Sequence, residues 1–221
     1  DTQSIADAAA ASVAFMFSNQ GQVCEAPSRM LVQRAVFDEL LDAVKARTAA
    51  LKIGNPLDIA TQLGPIVNEK QRNMICSHIA KAEADGATLE MDGRKAAVPE
   101  EGYYLGPTVA TDVAEHSALA REEVFGPVLS LFKFDTIDEA VSMANNSCYG
   151  LGASIWSSDI DTVMYAARRI VAGNINVNGG TGPVVELPYG GFRESGFGRD
   201  RSFHAIEKYA DLKNIIIRTR R

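Results

Sequence analysis

Apolar residues recur at helical spacing from the start of the chain. Ile5, Ala8, Ala9, Ser12, Val13 and Met16 form one stripe of small side chains, which predicts a helix over residues 4–16 suited to close packing. A second helix is predicted over residues 35–51, where Val36, Phe37, Leu40, Leu41, Val44 and Leu51 share a face before Gly54, Asn55 and Pro56 stop it. Asn68 with Gln71 resembles a capping box opening a third helix over 68–85, closed by Gly86. Residues 29–33 read as a short strand, and 88–91 and 104–112 as strands flanking a connection that holds the Asp92-Gly93 turn. From Val128 the pattern becomes regular: strand 128–134, helix 137–145 with Thr136 and Glu139 as a capping box, strand 152–156, helix 160–171, strand 174–177. Apolar strands alternating with amphipathic helices predict an α/β fold, a doubly wound, mainly parallel sheet flanked by helices and joined by right-handed crossovers. In such a sheet ligands bind at the carboxyl ends of the strands, so the segments after Phe134, Trp156 and Val177 are candidates to face a site.

Two further segments complete the pattern. A Gly-rich stretch over 178–183 and 188–199 lacks the Gly spacing and the Gly-Lys-Ser/Thr ending of a phosphate loop and reads instead as a long structured loop. Residues 201–208 then predict a short helix, and 212–219 an apolar terminal strand that needs a sheet to join, in this domain or in another subunit.

Composition narrows the function classes. The chain has 221 residues, 46% hydrophobic and 23% charged, as in a soluble globular protein. A net charge of -6 argues against nucleic-acid and anionic-membrane partners, and the one basic cluster, Arg218, Arg220 and Arg221, is a short tail. No apolar run reaches the length of a membrane span, and no signal-type segment opens the chain. Three cysteines, Cys24, Cys76 and Cys148, have neither disulfide-framework nor zinc spacing, so no metal is expected and a reducing, cytoplasmic setting fits. The chain opens on Asp1 and enters a helical pattern at once, as a piece of a longer protein would. Cys76 and His78 lie inside the third predicted helix and read as structural.

Candidate chemistry centres on Cys24, in the run Asn19-Gln20-Gly21-Gln22-Val23-Cys24 that follows the first helix. A thiol is the strongest side-chain nucleophile near neutral pH, and a polar, Gly-containing loop can aim backbone amides at an oxygen developing charge. Taken alone, Cys24 reads rather as a small buried hydrophobe, and Glu122-Glu123 as a solvated acidic pair. A papain-like pairing of Cys24 with His116 or His204 has no further support in the chain.

The Cys24 run, the segment Glu122-Glu123-Val124-Phe125-Gly126-Pro127 and the segment Pro188-Tyr189-Gly190-Gly191-Phe192-Arg193-Glu194-Ser195-Gly196, in that order, closely resemble the aldehyde dehydrogenase superfamily. The likeness spans essentially the whole chain and implies the family's C-terminal catalytic domain over residues 1–209, with a C-terminal oligomerisation strand and tail over 210–221. It implies an NAD(P)+-dependent oxidation of an aldehyde to a carboxylic acid, in which Cys24 forms a thiohemiacetal and then a thioester. It further implies Glu123 and Phe125 as cofactor contacts toward NAD or NADP, and a homodimer or homotetramer for the longer protein. Asn178 resembles an active-site Asn near the substrate pocket, with a simple turn former as the alternative, and Asp200 a proton-relaying carboxylate, with a helix N-cap as the alternative.

Glu25, beside the nucleophile, would favour cationic or hydroxylated aldehydes unless it is turned to Arg29. Gly182 and Pro183 stand where aromatic pocket residues often occur in the family, which speaks against an aromatic cage for a quaternary ammonium group. The stretch 198–205 is reminiscent of dehydrogenases acting on amino aldehydes. The family's Glu-Leu-Gly-Gly-Lys motif with its general base, its oxyanion Asn and its N-terminal dinucleotide-binding domain do not occur in this sequence, so the isolated chain is expected to show no NAD(P)-dependent oxidation. A coenzyme A-acylating dehydrogenase and a non-catalytic assembly module are the alternatives.

Overall fold

The computed structural model describes residues 5–179 and 184–219. Its elements follow the predicted order closely in the first part of the chain. Helix α1 (Ile5–Phe17) leads to β1 (Arg29–Gln33), α2 (Phe37–Ala49), α3 (Glu69–Ala84), β2 (Thr88–Met91), β3 (Thr108–Thr111), the single-turn α4 (Ala118–Arg121) and β4 (Val128–Phe134). Then come α5 (Ile137–Asn145), β5 (Gly152–Ile155), α6 (Ile160–Ala167) and β6 (Asn174–Val177).

One sheet has the order β1-β4-β3-β2, with β4 parallel to both β1 and β3 and β2 antiparallel to β3. Successive residues of its central strands face opposite sides. Val109, Leu129 and Leu131 join the layer of α1 and α2, while Ala110, Val128 and Phe132 join that of α3 and α4. Both faces are thus buried, which explains why β4 reads as a continuous apolar run.

The expected single sheet is divided. β5 and β6 pair in parallel as a separate two-stranded sheet, and no ladder joins it to β1 among the described residues. A cavity of about 820 Å³ lies between, lined by Leu31, Val32 and Gln33 of β1 and by Ala153, Ser154 and Ile155 of β5.

Several local expectations also change. Asn68 caps α3 by accepting from the Gln71 N–H at 2.8 Å, but Gln71 does not close the box, because its side chain is engaged elsewhere. Thr136 caps α5, while Glu139 reaches past it to the Asp135 N–H. The strand expected over 104–112 is confined to Thr108–Thr111, since Pro107 has no N–H to give and Gly106 is packed against Gly93, where no Cβ fits. The helix expected over 160–171 stops at Ala167. The helix expected over 201–208 is a 3-10 turn, Phe203–Tyr209, whose N-cap is Ser202, so Asp200 is not the cap.

The terminal strand expected over 212–219 is not formed within this chain. Residues 210–219 join neither sheet, and Leu212, Ile215, Ile216 and Ile217 are exposed, because a strand exists only where an edge accepts it. No helix among the described residues is long and apolar enough to cross a membrane.

Candidate active site

Helix α1 delivers the Cys24 loop. Its small-residue face, Ala8, Ala9 and Val13, lies buried in the α1/α2 layer, which fixes where the helix ends. Beyond it the backbone turns through three left-handed residues, Asn19, Gln20 and Gly21 (φ 48°, 59° and 67°), and the Asn19 carbonyl accepts the Gln22 N–H at 3.0 Å. Gly21 is required twice over: its φ disfavours any side chain, and a Cβ would run into the Gly126 carbonyl. That contact seats the loop against the Glu123-Phe125 segment. Gln22 accepts the Val67 N–H at 3.1 Å, tying the loop to the entry of α3. Cys24 emerges exposed, and its backbone N–H has no acceptor among the described residues.

The second motif is held from α3. Gln71 donates to the carbonyls of Val124 and Phe125 at 3.1 and 3.0 Å, and Phe125 itself takes a left-handed φ of 51°. Gly126 lies directly on Ile75 of α3. Val124 is buried while Glu123 and Phe125 turn outward, so the segment hangs these two side chains from one buried anchor. Cys24, Glu25, Glu123 and Phe125 all line the cavity between β1 and β5. These are residues suited to a nicotinamide nucleoside: an exposed carboxylate to accept from vicinal hydroxyls and a ring 38% exposed to lie against a planar heterocycle. Glu122 is drawn the other way, 4.0 Å from Nε2 of His78, which gives that histidine a neighbour the local sequence does not reveal.

The third motif enters from the far end of the chain. Tyr189 and Asp200 form an antiparallel bridge, N–H to carbonyl at 2.8 and 2.6 Å. Its Gly residues are close fits: Gly173 at the start of β6 packs on the Gly190 carbonyl, and Gly190 on that of Gly198. Asn174 Nδ2 donates to the Gly190 carbonyl at 3.1 Å. The bridge brings the Tyr189 hydroxyl to 3.5 Å from Cys24 Sγ, and burial, the bond to Cys24 and the Glu25 carboxylate together push the phenol above its usual range. The Arg201 guanidinium lies 4.7 Å over the same ring.

Not every expected residue joins this cluster. Asn178 sits at a left-handed φ of 52° with its amide turned to Ser157, accepting the Ser157 N–H at 2.9 Å and donating to the Ser157 carbonyl at 2.8 Å. It ties the end of β6 to the end of β5, the turn-former alternative. Asp200 contributes its backbone to the bridge, and its carboxylate makes no ion pair among the described residues. Glu25 is not turned to Arg29, which donates to the Met143 carbonyl at 2.8 Å and stacks on Phe132. Gly182 and Pro183 lie outside the described residues.

Two contributors were not assigned from the sequence. Gln71 looks there like half of a capping box, and Tyr189 like part of a Gly-rich loop; only a hydroxyl at an aromatic position in the third motif hinted at chemistry. Tyr149 lines the same cavity, its phenol pushed up by burial, by Cys148 and by Glu123. No group of three or more His, Cys, Asp or Glu among the described residues could hold a metal ion.

Comparison with known proteins agrees with this geometry. The betaine aldehyde dehydrogenase of Rhizobium leguminosarum bv. trifolii is 42% identical over 205 residues, 91% of this chain and 42% of that protein. The NADP/NAD-dependent aldehyde dehydrogenase PuuC of Escherichia coli is 39% identical over 217 residues, 98% of this chain and 43% of that protein. The solved structure of P. syringae AldA, an indole-3-acetaldehyde dehydrogenase in complex with NAD+, superposes with a TM-score of 0.92 at 40% identity, covering 96% of this chain and 43% of that one. The chain therefore spans less than half the length of these relatives. The aldehyde dehydrogenase family profile matches residues 1–215, and with the thiol, carboxylate and ring of its motifs set around one cavity, the chain belongs to the aldehyde dehydrogenase family.

Proposed function

We propose that this chain is the thiol-bearing part of an NAD(P)+-dependent aldehyde dehydrogenase, with Cys24 as nucleophile. The observation that carries the reading is the convergence of an exposed Cys24, Glu123 and Phe125, from distant segments, on one cavity. Cys24 Sγ adds as the thiolate to the aldehyde carbon, its proton having gone to water, and the carbonyl oxygen takes up the negative charge. The uncommitted Cys24 N–H supports an oxyanion donor at that oxygen, a role worth about 2.7–4 kcal/mol where such a donor is preorganised. Glu123 and Phe125 would hold the nicotinamide nucleoside, and that group, when bound, supplies the hydride acceptor. Loss of the aldehyde hydrogen as hydride from the thiohemiacetal re-forms the C=O and leaves the acyl carbon on Cys24 as a thioester; water then adds to that carbon and the Cys24 thiolate leaves, which releases the carboxylic acid.

Glu25 supports cationic or hydroxylated aldehydes as the substrate class. It is half-buried, free of Arg29 and beside the nucleophile. A relative named for betaine aldehyde, itself a cation, is consistent with that preference. The exposed aliphatic run Leu212, Ile215, Ile216 and Ile217 supports association with a second copy, as in a homodimer or homotetramer. Three unpaired cysteines support a reducing, cytoplasmic setting.

Carbamidomethylation with iodoacetamide tests the nucleophile on this chain as it stands. Cys24 is expected to react at least about tenfold faster than Cys148 and Cys76 near pH 7, and excess aldehyde to protect it through reversible thiohemiacetal formation. Equal, slow reaction of all three thiols without protection would favour the assembly-module alternative.

A further inference from the structure

We propose that Tyr189 is a positioning residue for the nucleophile, its hydroxyl donating to the Cys24 sulfur and holding it as a thiolate. The inference rests on Cys24 being the nucleophile and adds a function for a side chain 165 positions away. Four observations on the molecule support it. The Oη to Sγ distance is 3.5 Å, within reach of an O–H to sulfur hydrogen bond. The tyrosine backbone is clamped on both sides by the bridge to Asp200, and the following Gly190 is wedged against Gly198 and Arg199, so the point from which the ring reaches toward the thiol is fixed. The Arg201 guanidinium over the ring face draws electron density from it and strengthens the phenol as a donor.

The fourth observation bears on the proton of the tyrosine. Burial, the thiol and the Glu25 carboxylate all oppose a phenolate at Tyr189, so the hydroxyl stays protonated where a cysteine can ionise. The thiol proton leaves to bulk water, and the tyrosine keeps its own. A neutral O–H beside a sulfur anion is a charge-assisted hydrogen bond, and it favours the anionic form of the partner. Phenylalanine at position 189 would fill the same space without the donor.

The test is the pH dependence of Cys24 alkylation by iodoacetamide, read by peptide mass spectrometry with Cys148 as an internal control. Tyr189→Phe is expected to slow Cys24 about fivefold near pH 7 and to displace its profile to higher pH, with the rate at about pH 10 and the Cys148 rate unchanged. Arg201→Gln, which keeps the hydroxyl but removes the cation, is expected to shift the profile the same way by about twofold in rate. A Tyr189→Phe profile that superposes on that of the unmodified chain overturns the proposal. So does a loss at every pH that Cys148 shares, which marks a merely structural tyrosine. Should Tyr189→Phe not fold, as judged by circular dichroism, an Arg201→Gln profile superposing on that of the unmodified chain overturns the proposal. If Cys24 in the unmodified chain reacts no faster than Cys148, the nucleophile reading itself falls; if Cys24 is fast and both variants leave it so, only the Tyr189 inference falls.

Discussion

Residues 5–134 and residues 135–219 are built on different principles. The first region buries two apolar layers on the two faces of a four-stranded sheet, and nearly every buried hydrophobic side chain belongs to it. Among the described residues of the second region, the buried hydrophobics are Val141, Val163 and Ala166. That region is held instead by close backbone fits and polar ties. Gly173 meets Gly190, the Phe192 N–H donates to the Gly150 carbonyl at 2.9 Å, and Asn145 bonds both the Arg169 carbonyl and the Val171 N–H. Cys24, Glu123 and Phe125 sit on the first region, whereas Tyr189, Asn178 and Asp200 sit on the second. Cys24 is therefore carried by a self-sufficient core, and Tyr189, whose hydroxyl meets its sulfur, by a segment whose placement depends on a few specific contacts.

The largest expected effect tests the packing contrast directly. Leu129→Ala, in the middle of β4, is expected to cost about 3–4 kcal/mol in urea unfolding, because it leaves a cavity between layers that cannot collapse. Val163→Ala in α6 is expected to cost about 1 kcal/mol, since fewer buried neighbours surround it. Equal costs would break the comparison.

A second contrast sets a filled glycine site against an open one. Gly21→Ala adds a clash with Gly126 to an unfavourable φ, and a loss of about 2–3 kcal/mol with loss of the selective Cys24 alkylation is expected. Gly196→Ala, at φ 94° and ψ 179° with nothing within 4 Å of the new methyl, meets backbone strain alone and is expected to cost about 2 kcal/mol and to leave Cys24 as it was.

The smallest effect concerns charge in the first region. Asp92 accepts from the Arg94 side chain at 2.8 Å and from the Lys95 ammonium at 3.1 Å, and these bonds hold its carboxyl far below the usual range. A carboxyl depressed in the folded state stabilises above its unfolded pKa of about 3.9, and that contribution is lost as the pH falls toward the folded value. Asp92→Asn is thus expected to cost about 1–2 kcal/mol in urea titrations near neutral pH, a difference that is constant above about pH 5 and narrows in more acid solution. A difference that widens on acidification would show that another group dominates.

The legibility of the sequence follows the same division. Periodicity located α1, α2, α3, β1 and β4 to within a few residues, because each carries a face that must be buried and the spacing of that face is its structure. The helix expected at 201–208 forms only as a 3-10 turn and the strand expected at 212–219 finds no edge within this chain for the complementary reason: little of this chain covers either segment, so apolar content alone did not impose regular structure, and another subunit's sheet is the other expected partner of 212–219. At the site, Cys24, Glu123 and Phe125 were legible as motifs. The commitment of Asn178 to Ser157, the turn of Glu25 away from Arg29 and the approach of Tyr189 to the thiol were not, since each depends on which distant backbone happens to lie alongside.

By itself, then, the sequence determined the alternation of strands and helices, the membership in a family and the choice of Cys24 as the candidate nucleophile, because these reside in local spacing and in residue type. The tertiary structure alone decided that the parallel strands part into two sheets around a cavity, and that a phenol from the far end of the chain reaches the thiol. Pairing of strand edges and approach of side chains across 165 positions are set by the packing of whole layers, and no window of sequence contains that information.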